Sequence, residues 1–273
     1  MKKIVLALLV LALAVFTTAC SDSDTKKIKL AISGTDTRMW DYVAEKAKKE
    51  GIDIEIVSFN DYVLPNTALA EGEVNVNAFQ TVAYFDQFIK EHDLDLVPLA
   101  TTVIAPMAIF SDKVEDVADI PEGGEIAIPN DPSNGGRALL LLQEAGLITL
   151  ADDYTNQLRN VETDIVDNPK NLKITPVVAA QTPRVLPDVA ASVINNGIAN
   201  DAGLNPLNDS IFHEDDTATD YINIIAVRAE DKDDETLKRI GELFQEDDTA
   251  EFIEKEYDGT LIPTFVPLEN IGW

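Results

Sequence analysis

The sequence predicts an α/β protein built as two lobes. Three observations carry this expectation. Runs that alternate apolar and polar residues, the period of a strand, take turns with runs at helical spacing. The chain of 273 residues is long enough for two cores once a leader is set aside. Two extended apolar runs, residues 101–110 and 221–227, read as the outward and return crossings between lobes.

Taken in order, Met1, Lys2 and Lys3 form a short basic start, and residues 4–16 are an unbroken apolar run. That run is shorter than the about 20 residues of a membrane span. With the small residues Thr17, Thr18 and Ala19 behind it, it reads as a signal peptide over residues 1–19. Cys20 is the only cysteine in the chain. It resembles the lipidated cysteine of a bacterial lipobox, with Thr17 where that box usually has leucine. The alternative is a plain secretory signal with an incidental cysteine, but a lone thiol in an exported protein favours lipidation. Residues 20–27 are small, polar and unpatterned, the composition of a flexible tether.

The first lobe is expected over residues 28–107 and 226–273. Ile28, Leu30 and Ile32 alternate as a strand should. Trp40, Val43, Ala44 and Ala47 follow at helical spacing, Lys46, Lys48 and Lys49 suit the C-terminal end, and Gly51 ends the helix. Ile52, Ile54 and Ile56 make the second strand of a βαβ unit, which predicts a parallel pair. A short helix over 65–71, a strand over 74–79, a helix marked by Tyr84, Phe85, Phe88 and Ile89, and a strand over 94–99 follow. Pro98 keeps that last strand from being central along its whole length. Helices over 234–244 and 249–257 pack back on this lobe.

The second lobe is expected over residues 108–225, with strands at 125–128, 172–178 and 191–194. Its most informative stretch is Pro129, Asn130, Asp131, Pro132, Ser133, Asn134, Gly135, Gly136 and Arg137, between a strand and the apolar helix of residues 138–147 with Gly146 as its cap. The two prolines fix φ. The Asn, Asp and Ser side chains bond nearby backbone, start turns or cap helices. The glycines let a backbone come close. Arg137 then falls in the first helical turn, where a cation opposes the macrodipole. A ligand carboxylate accepting N–H groups and a bidentate guanidinium would resolve that conflict. An ordinary strand-turn-helix connection with Arg137 in solvent fits the same residues.

Composition narrows the function. The formal net charge is -28, or -30 once Lys2 and Lys3 leave with the leader, which argues against a nucleic-acid partner. It also argues against adsorption to an anionic lipid surface without an anchor. No second cysteine exists for a disulfide or thiolate metal site, and His92 and His213 are the only imidazoles. His92 lies between Glu91 and Asp93 at a helix end, no glycine-flanked serine elbow is present, and no carboxylate pair is nominated by spacing, so no catalytic residue is assigned. The acidic runs 213–216 and 231–235 lack the spacing and central glycine of a calcium loop and read as solvated faces. No metal and no cofactor is expected.

Four stretches together resemble one family. They are Asn60-Asp61-Tyr62-Val63-Leu64-Pro65-Asn66, Asn77-Ala78-Phe79-Gln80, Ala127-Ile128-Pro129-Asn130-Asp131-Pro132-Ser133-Asn134 through Arg137, and Asn168-Pro169-Lys170-Asn171-Leu172. In this order, over nearly the whole mature chain, they resemble the NlpA/MetQ lipoproteins, substrate-binding components of methionine ABC importers. The resemblance implies a periplasmic-binding-protein-like fold that closes on an amino acid in the cleft between the lobes, with methionine the leading candidate and another amino acid, a short peptide or a different small ligand the alternative. It implies delivery to an ABC permease and ATPase, and a lipid anchor on the extracytoplasmic side of a bacterial membrane. It places Tyr62, Phe79 and Tyr84 around the ligand side chain, Arg137 on its carboxylate, and Asn195 and Asn223 on its backbone polar atoms. A thioether suits aromatic faces, and a buried zwitterion needs paired charge. One position departs: Thr81 follows Gln80 where methionine-binding members usually carry histidine, which removes an imidazole from the side-chain pocket.

Overall fold

In the computed structural model, which describes residues 25–215 and 219–273, the alternation of strand and helix begins at Lys26. The leader, the lipidation candidate Cys20 and residues 21–24 lie outside the described residues. Strand β1 (Lys26–Ser33), helix α1 (Arg38–Lys49) and strand β2 (Ile52–Phe59) form the expected βαβ unit, with β1 and β2 paired in parallel. The tether expected through residue 27 is shorter than its composition suggests. Lys26 is in register with Ile52, and its Nζ donates to Thr236 Oγ1 at 2.6 Å, so Lys26 and Lys27 belong to the sheet.

The chain continues through α2 (Leu64–Ala70), β3 (Val76–Thr81), α3 (Val82–His92) and β4 (Leu96–Ile104), then crosses into β5 (Ala108–Phe110). Next come β6 (Glu125–Pro129), α4 (Pro132–Glu144), β7 (Thr149–Leu150), α5 (Val161–Asp164), β8 (Ile165–Asp167) and β9 (Lys173–Val177). Helix α6 (Thr182–Val185), β10 (Ala191–Ile194), α7 (Asn196–Asp201) and β11 (Ser210–His213) complete this part. The chain returns as β12 (Ile222–Arg228) and ends with α8 (Glu235–Phe244), α9 (Asp247–Tyr257) and β13 (Ile262–Pro263).

Two main sheets result, ordered β13-β4-β12-β3-β1-β2 and β11-β5-β10-β6-β9. Each has its own core on both faces, which is the physical basis of the two lobes. Leu30, Trp40, Val43, Ile225, Ile240 and Phe244 share one cluster on the first sheet, and the expected return of α8 and α9 to this lobe is what fills it. Ile126, Ile128, Leu139, Leu142 and Val193 share another on the second sheet. Strand β12 runs antiparallel to both β3 and β4. A division at residues 225/226 would cut it in half, whereas its residues pair with the first sheet from Ile222 onward. The reason is burial on both faces: Ile224 and Ala226 pack on one side, Ile225 and Val227 on the other. Pro98 is accommodated as expected. Beyond β12, β4 meets only β13, and that pairing covers Val103 and Ile104, so the edge beside Pro98 carries no strand on that side.

Helix α4 begins six residues before the expected start. Asp131 is its N-cap, accepting the Asn134 N–H at 2.8 Å, and Pro132 occupies the first helical position. Gly135 and Gly136 are helical because another segment lies on them: Leu158 N–H donates to Pro132 O at 2.8 Å, and Tyr154 Oη to Gly136 O at 3.0 Å. A Cβ at Gly136 would stand 2.4 Å from Asn156 O, and one at Gly135 2.7 Å from Pro129 O. In an open helix, Gly→Ala stabilises by about 1 kcal/mol. Gly136→Ala should instead destabilise by about 1–3 kcal/mol, the range of overpacking. Thermal unfolding checks the sign, and a raised melting temperature would show that the segment around Asn156 yields freely.

Candidate functional site

Between the lobes lies a cavity of about 660 Å³, and Tyr62, Phe79, Thr81, Tyr84, Arg137, Asn195 and Asn223 all line it. The first lobe supplies an aromatic wall. Tyr62 sits in the turn before α2, where the Asp61 carboxylate accepts the N–H groups of Val63 and Leu64 at 2.7 and 2.8 Å. Phe79 and Thr81 are two apart at the end of β3 and so share a face. Tyr84 stands in the first turn of α3. The ring centroids of Tyr62 lie 5.9 Å from those of Phe79 and of Tyr84, and Phe79 and Tyr84 are 6.3 Å apart. Tyr84 Oη donates to Tyr62 O at 2.9 Å, which locks the two together. Burial raises the pKa of both phenols well above the usual tyrosine range, so they stay neutral. Such a wall suits an apolar, polarisable side chain.

Thr81 has a second task. It is the N-cap of α3, its Oγ1 accepting the Tyr84 N–H at 3.2 Å. Behind the wall, Asn66, Asn77 and Gln80 form a buried amide cluster. Asn66 Nδ2 donates to Gln80 Oε1 at 2.7 Å, Gln80 Nε2 to Asn66 Oδ1 at 2.7 Å and Asn77 Oδ1 at 3.0 Å, and Asn77 Nδ2 to Asn66 Oδ1 at 2.8 Å. These residues sit in two of the quoted motifs, and their work is to tie α2 to β3.

Arg137 differs from its expected setting in two respects. It lies in the second turn of α4, away from the positive end of the dipole, because the helix starts at Pro132. It is also buried, 3% exposed, and already paired. Arg137 Nε donates to Glu214 Oε1 at 2.7 Å, and Nη2 donates to Glu214 Oε2 and, at 3.0 Å, to Ala105 O. The bidentate edge assigned to a ligand carboxylate is therefore occupied by Glu214. Only Nη1 has no acceptor among the described residues. The Tyr221 ring lies under the guanidinium, 4.2 Å from Cζ. Glu214 in turn accepts the Met107 N–H at 2.7 Å. It is 7% exposed, so Glu214 departs from the solvated face expected of its run, whereas His213 and Asp215 on either side are exposed. Glu214 follows β11 directly, where a buried arginine needs a counter-charge. Nothing in the local spacing announces that pairing.

Asn195 and Asn223 face the cavity from the two lobes. Asn223 Nδ2 donates to Val103 O at 3.2 Å. Asn195 Nδ2 donates to Asn134 Oδ1 at 2.7 Å, while its Oδ1 is buried with no partner. Trp40 Nε1 is likewise buried and unpartnered, and Trp40 lines the cavity. Its helical spacing marks it as core, which it also is, and conceals this second role. Asp131 lines the cavity too, and burial raises its carboxyl pKa. The lobes are bridged at the cavity: Thr35 Oγ1 donates to Asp201 Oδ1 at 2.7 Å, and Asn196 Nδ2 to Thr260 O at 2.7 Å. Among the described residues, no group of three or more His, Cys, Asp or Glu side chains could hold a metal ion, and no helix is long and apolar enough to cross a membrane.

Removing one partner of a buried pair leaves the other charge uncompensated, at about 3–5 kcal/mol. Glu214→Ala should therefore destabilise the fold by about that amount. Glu214→Gln, which keeps the shape and one acceptor, should cost less. Urea unfolding measures both, and wild-type stability in Glu214→Ala would remove the pair from its central place.

Comparison with known proteins gives a consistent picture. The model of a family described as NlpA lipoprotein matches residues 28–265. An uncharacterized lipoprotein, YhcJ, of Bacillus subtilis is 42% identical over 273 residues, covering 100% of this chain and 97% of that protein. The D-methionine-binding lipoprotein MetQ of Escherichia coli K12 is 40% identical over 245 residues, 88% of this chain and 89% of MetQ. The structure of a nutrient binding protein from Burkholderia cenocepacia bound to methionine superposes with a TM-score of 0.83 at 42% identity, covering 87% of this chain and 100% of that one.

Proposed function

The chain belongs to the NlpA lipoprotein family, and on that premise we propose that it captures methionine in its interlobe cleft for an ABC importer. The observation that carries this reading is the division of labour across one cavity. Tyr62, Phe79 and Tyr84 make an apolar wall on the first lobe, and Arg137 and Asn195 make a polar one on the second. A methionine side chain lies among the rings, its carboxylate meets Arg137 Nη1, and Asn195 and Asn223 take the remaining backbone polar atoms. The names of the Escherichia coli relative and the Burkholderia structure support methionine as the ligand. Asp36, Asp61, Asp131 and Asp201 line the cavity against Arg137 and Arg184, an excess of acid that favours a ligand with a positive end.

The lobes divide where β4 gives way to β5, at residues 105–107, and where the chain returns into β12 at Ile222, and closure brings the two walls together. The filled protein then docks on a membrane permease with its ATPase, while a lipid on Cys20 holds it on the extracytoplasmic side of the membrane.

Titration calorimetry on ligand-stripped protein tests the site. Phe79→Ala should weaken methionine binding relative to smaller amino acids. Arg137→Lys keeps a charge beside Glu214 but loses the planar fork, and should weaken methionine binding by about 2 kcal/mol or more. Failure of the stripped wild-type protein to bind any free amino acid would overturn the reading. The anchor is tested separately. Cys20→Ala should shift the protein from the membrane to the soluble fraction without changing its affinity for methionine, and an unmodified N-terminal peptide in wild-type mass spectra would refute lipidation.

A further inference from the structure

The unpartnered oxygen of Asn195 belongs to a chain of side chains whose direction is dictated from one end. Asp131 caps α4, and its Oδ1 accepts the Asn134 backbone N–H at 2.8 Å. The Asn134 Nδ2 group lies 3.1 and 3.2 Å from the two oxygens of the same carboxylate. An ionised carboxylate only accepts, so the amide of Asn134 has to present nitrogen to Asp131 and oxygen to the other side. On that side stands Asn195, whose Nδ2 donates to Asn134 Oδ1 at 2.7 Å. The Asn195 amide has then turned its nitrogen toward Asn134, with one N–H committed there, and its oxygen toward the opposite side. Asn195 is 8% exposed, its Oδ1 is buried without a partner, and the residue lines the cavity. A buried acceptor in that condition is costly until a donor reaches it.

We propose that Asp131, acting through Asn134, fixes the Asn195 amide with an acceptor on the cavity, and that this makes the cleft select ligands carrying a primary α-ammonium over those carrying a carbonyl at the same carbon. This rests on the amino-acid reading above and adds two positioning residues, Asp131 and Asn134, that need not touch the ligand. With two adjustable amides and no carboxylate, the relay would run in either direction, and Asn195 could equally offer a donor.

The test compares methionine with its 2-oxo acid, which has the same chain and carboxylate but an acceptor in place of the ammonium. Titration calorimetry on stripped wild-type protein should show the 2-oxo acid binding at least about 100-fold more weakly. Asp131→Asn replaces the carboxylate by an amide that either donates or accepts, and asparagine caps helices as well as aspartate does. That variant should narrow the ratio by about ten-fold or more. Asn134→Ala, which keeps the Asp131 charge at the cavity and breaks the relay, should narrow it too and covers the case in which Asp131→Asn folds poorly; a wild-type ratio in Asn134→Ala would show Asp131 acting by its charge alone and overturn the relay. A purely structural role for Asp131 would lower both affinities together and leave the ratio where it was, and that result overturns the relay while the amino-acid reading stands. If the wild-type protein binds neither compound, both the reading and the relay fall.

Discussion

A buried guanidinium sets the terms for the rest of the molecule. Arg137 is enclosed on α4, and an isolated charge in such a place is far too costly to survive. Glu214 supplies the opposite charge from the far end of β11, 77 positions away in sequence. The pair is fastened to the chain at each passage between lobes. Ala105 O and the Met107 N–H bind it on the outward passage, and the Tyr221 ring lies against it where the chain returns toward β12. One ion pair thereby joins the binding wall of the second lobe to both segments about which the lobes would move. Its desolvation is already met in folding, so the ligand carboxylate proposed for Nη1 would find a charge that is dry and held in place.

The opposite wall reaches rigidity by neutral means. Three aromatic rings can present a defined surface only if the backbone beneath them is fixed, and Asn66, Asn77 and Gln80 do this with amides bonded to one another out of water. A satisfied buried network of this kind specifies one arrangement more sharply than apolar packing does. Thr81 continues the theme. Its oxygen caps α3 and so orients Tyr84, which places a local helix signal inside the recognition surface. The departure of this position from the family's usual histidine has a consequence for structure as well as for the pocket, since imidazole is not among the favoured capping groups.

The two walls divide recognition between them. Aromatic faces tolerate a range of apolar shapes and discriminate weakly, whereas a buried polar atom with a fixed donor or acceptor sense discriminates strongly. In the proposed reading the second lobe carries that sense, in Arg137 as donor and in Asn195, whose Oδ1 has no partner, as acceptor. The acid excess of the chain, a net charge of -28, favours solubility, and the four aspartates on the cavity would favour a ligand with a cationic group.

Strands and helices were legible because their periods are local. The run 191–194 emerges as β10 with the same bounds, and the isoleucines at 52, 54 and 56 as β2. The seven candidate ligand residues converge on one cavity, although it took a family resemblance, and not their spacing, to join Tyr62 to Asn223. The start of α4 was misread because two glycines look like a turn until the segment around Asn156 is seen lying on them. Glu214 was hidden in an acidic run that by composition belongs in water. The sequence by itself determined the periodicity of the strands and helices and the cluster of turn and capping residues ahead of α4, which depend on neighbours within a few positions. Tertiary structure alone decided which charge meets Arg137, which way the Asn195 amide faces and which glycine is crowded. Those outcomes depend on burial and on partners brought together from distant parts of the chain.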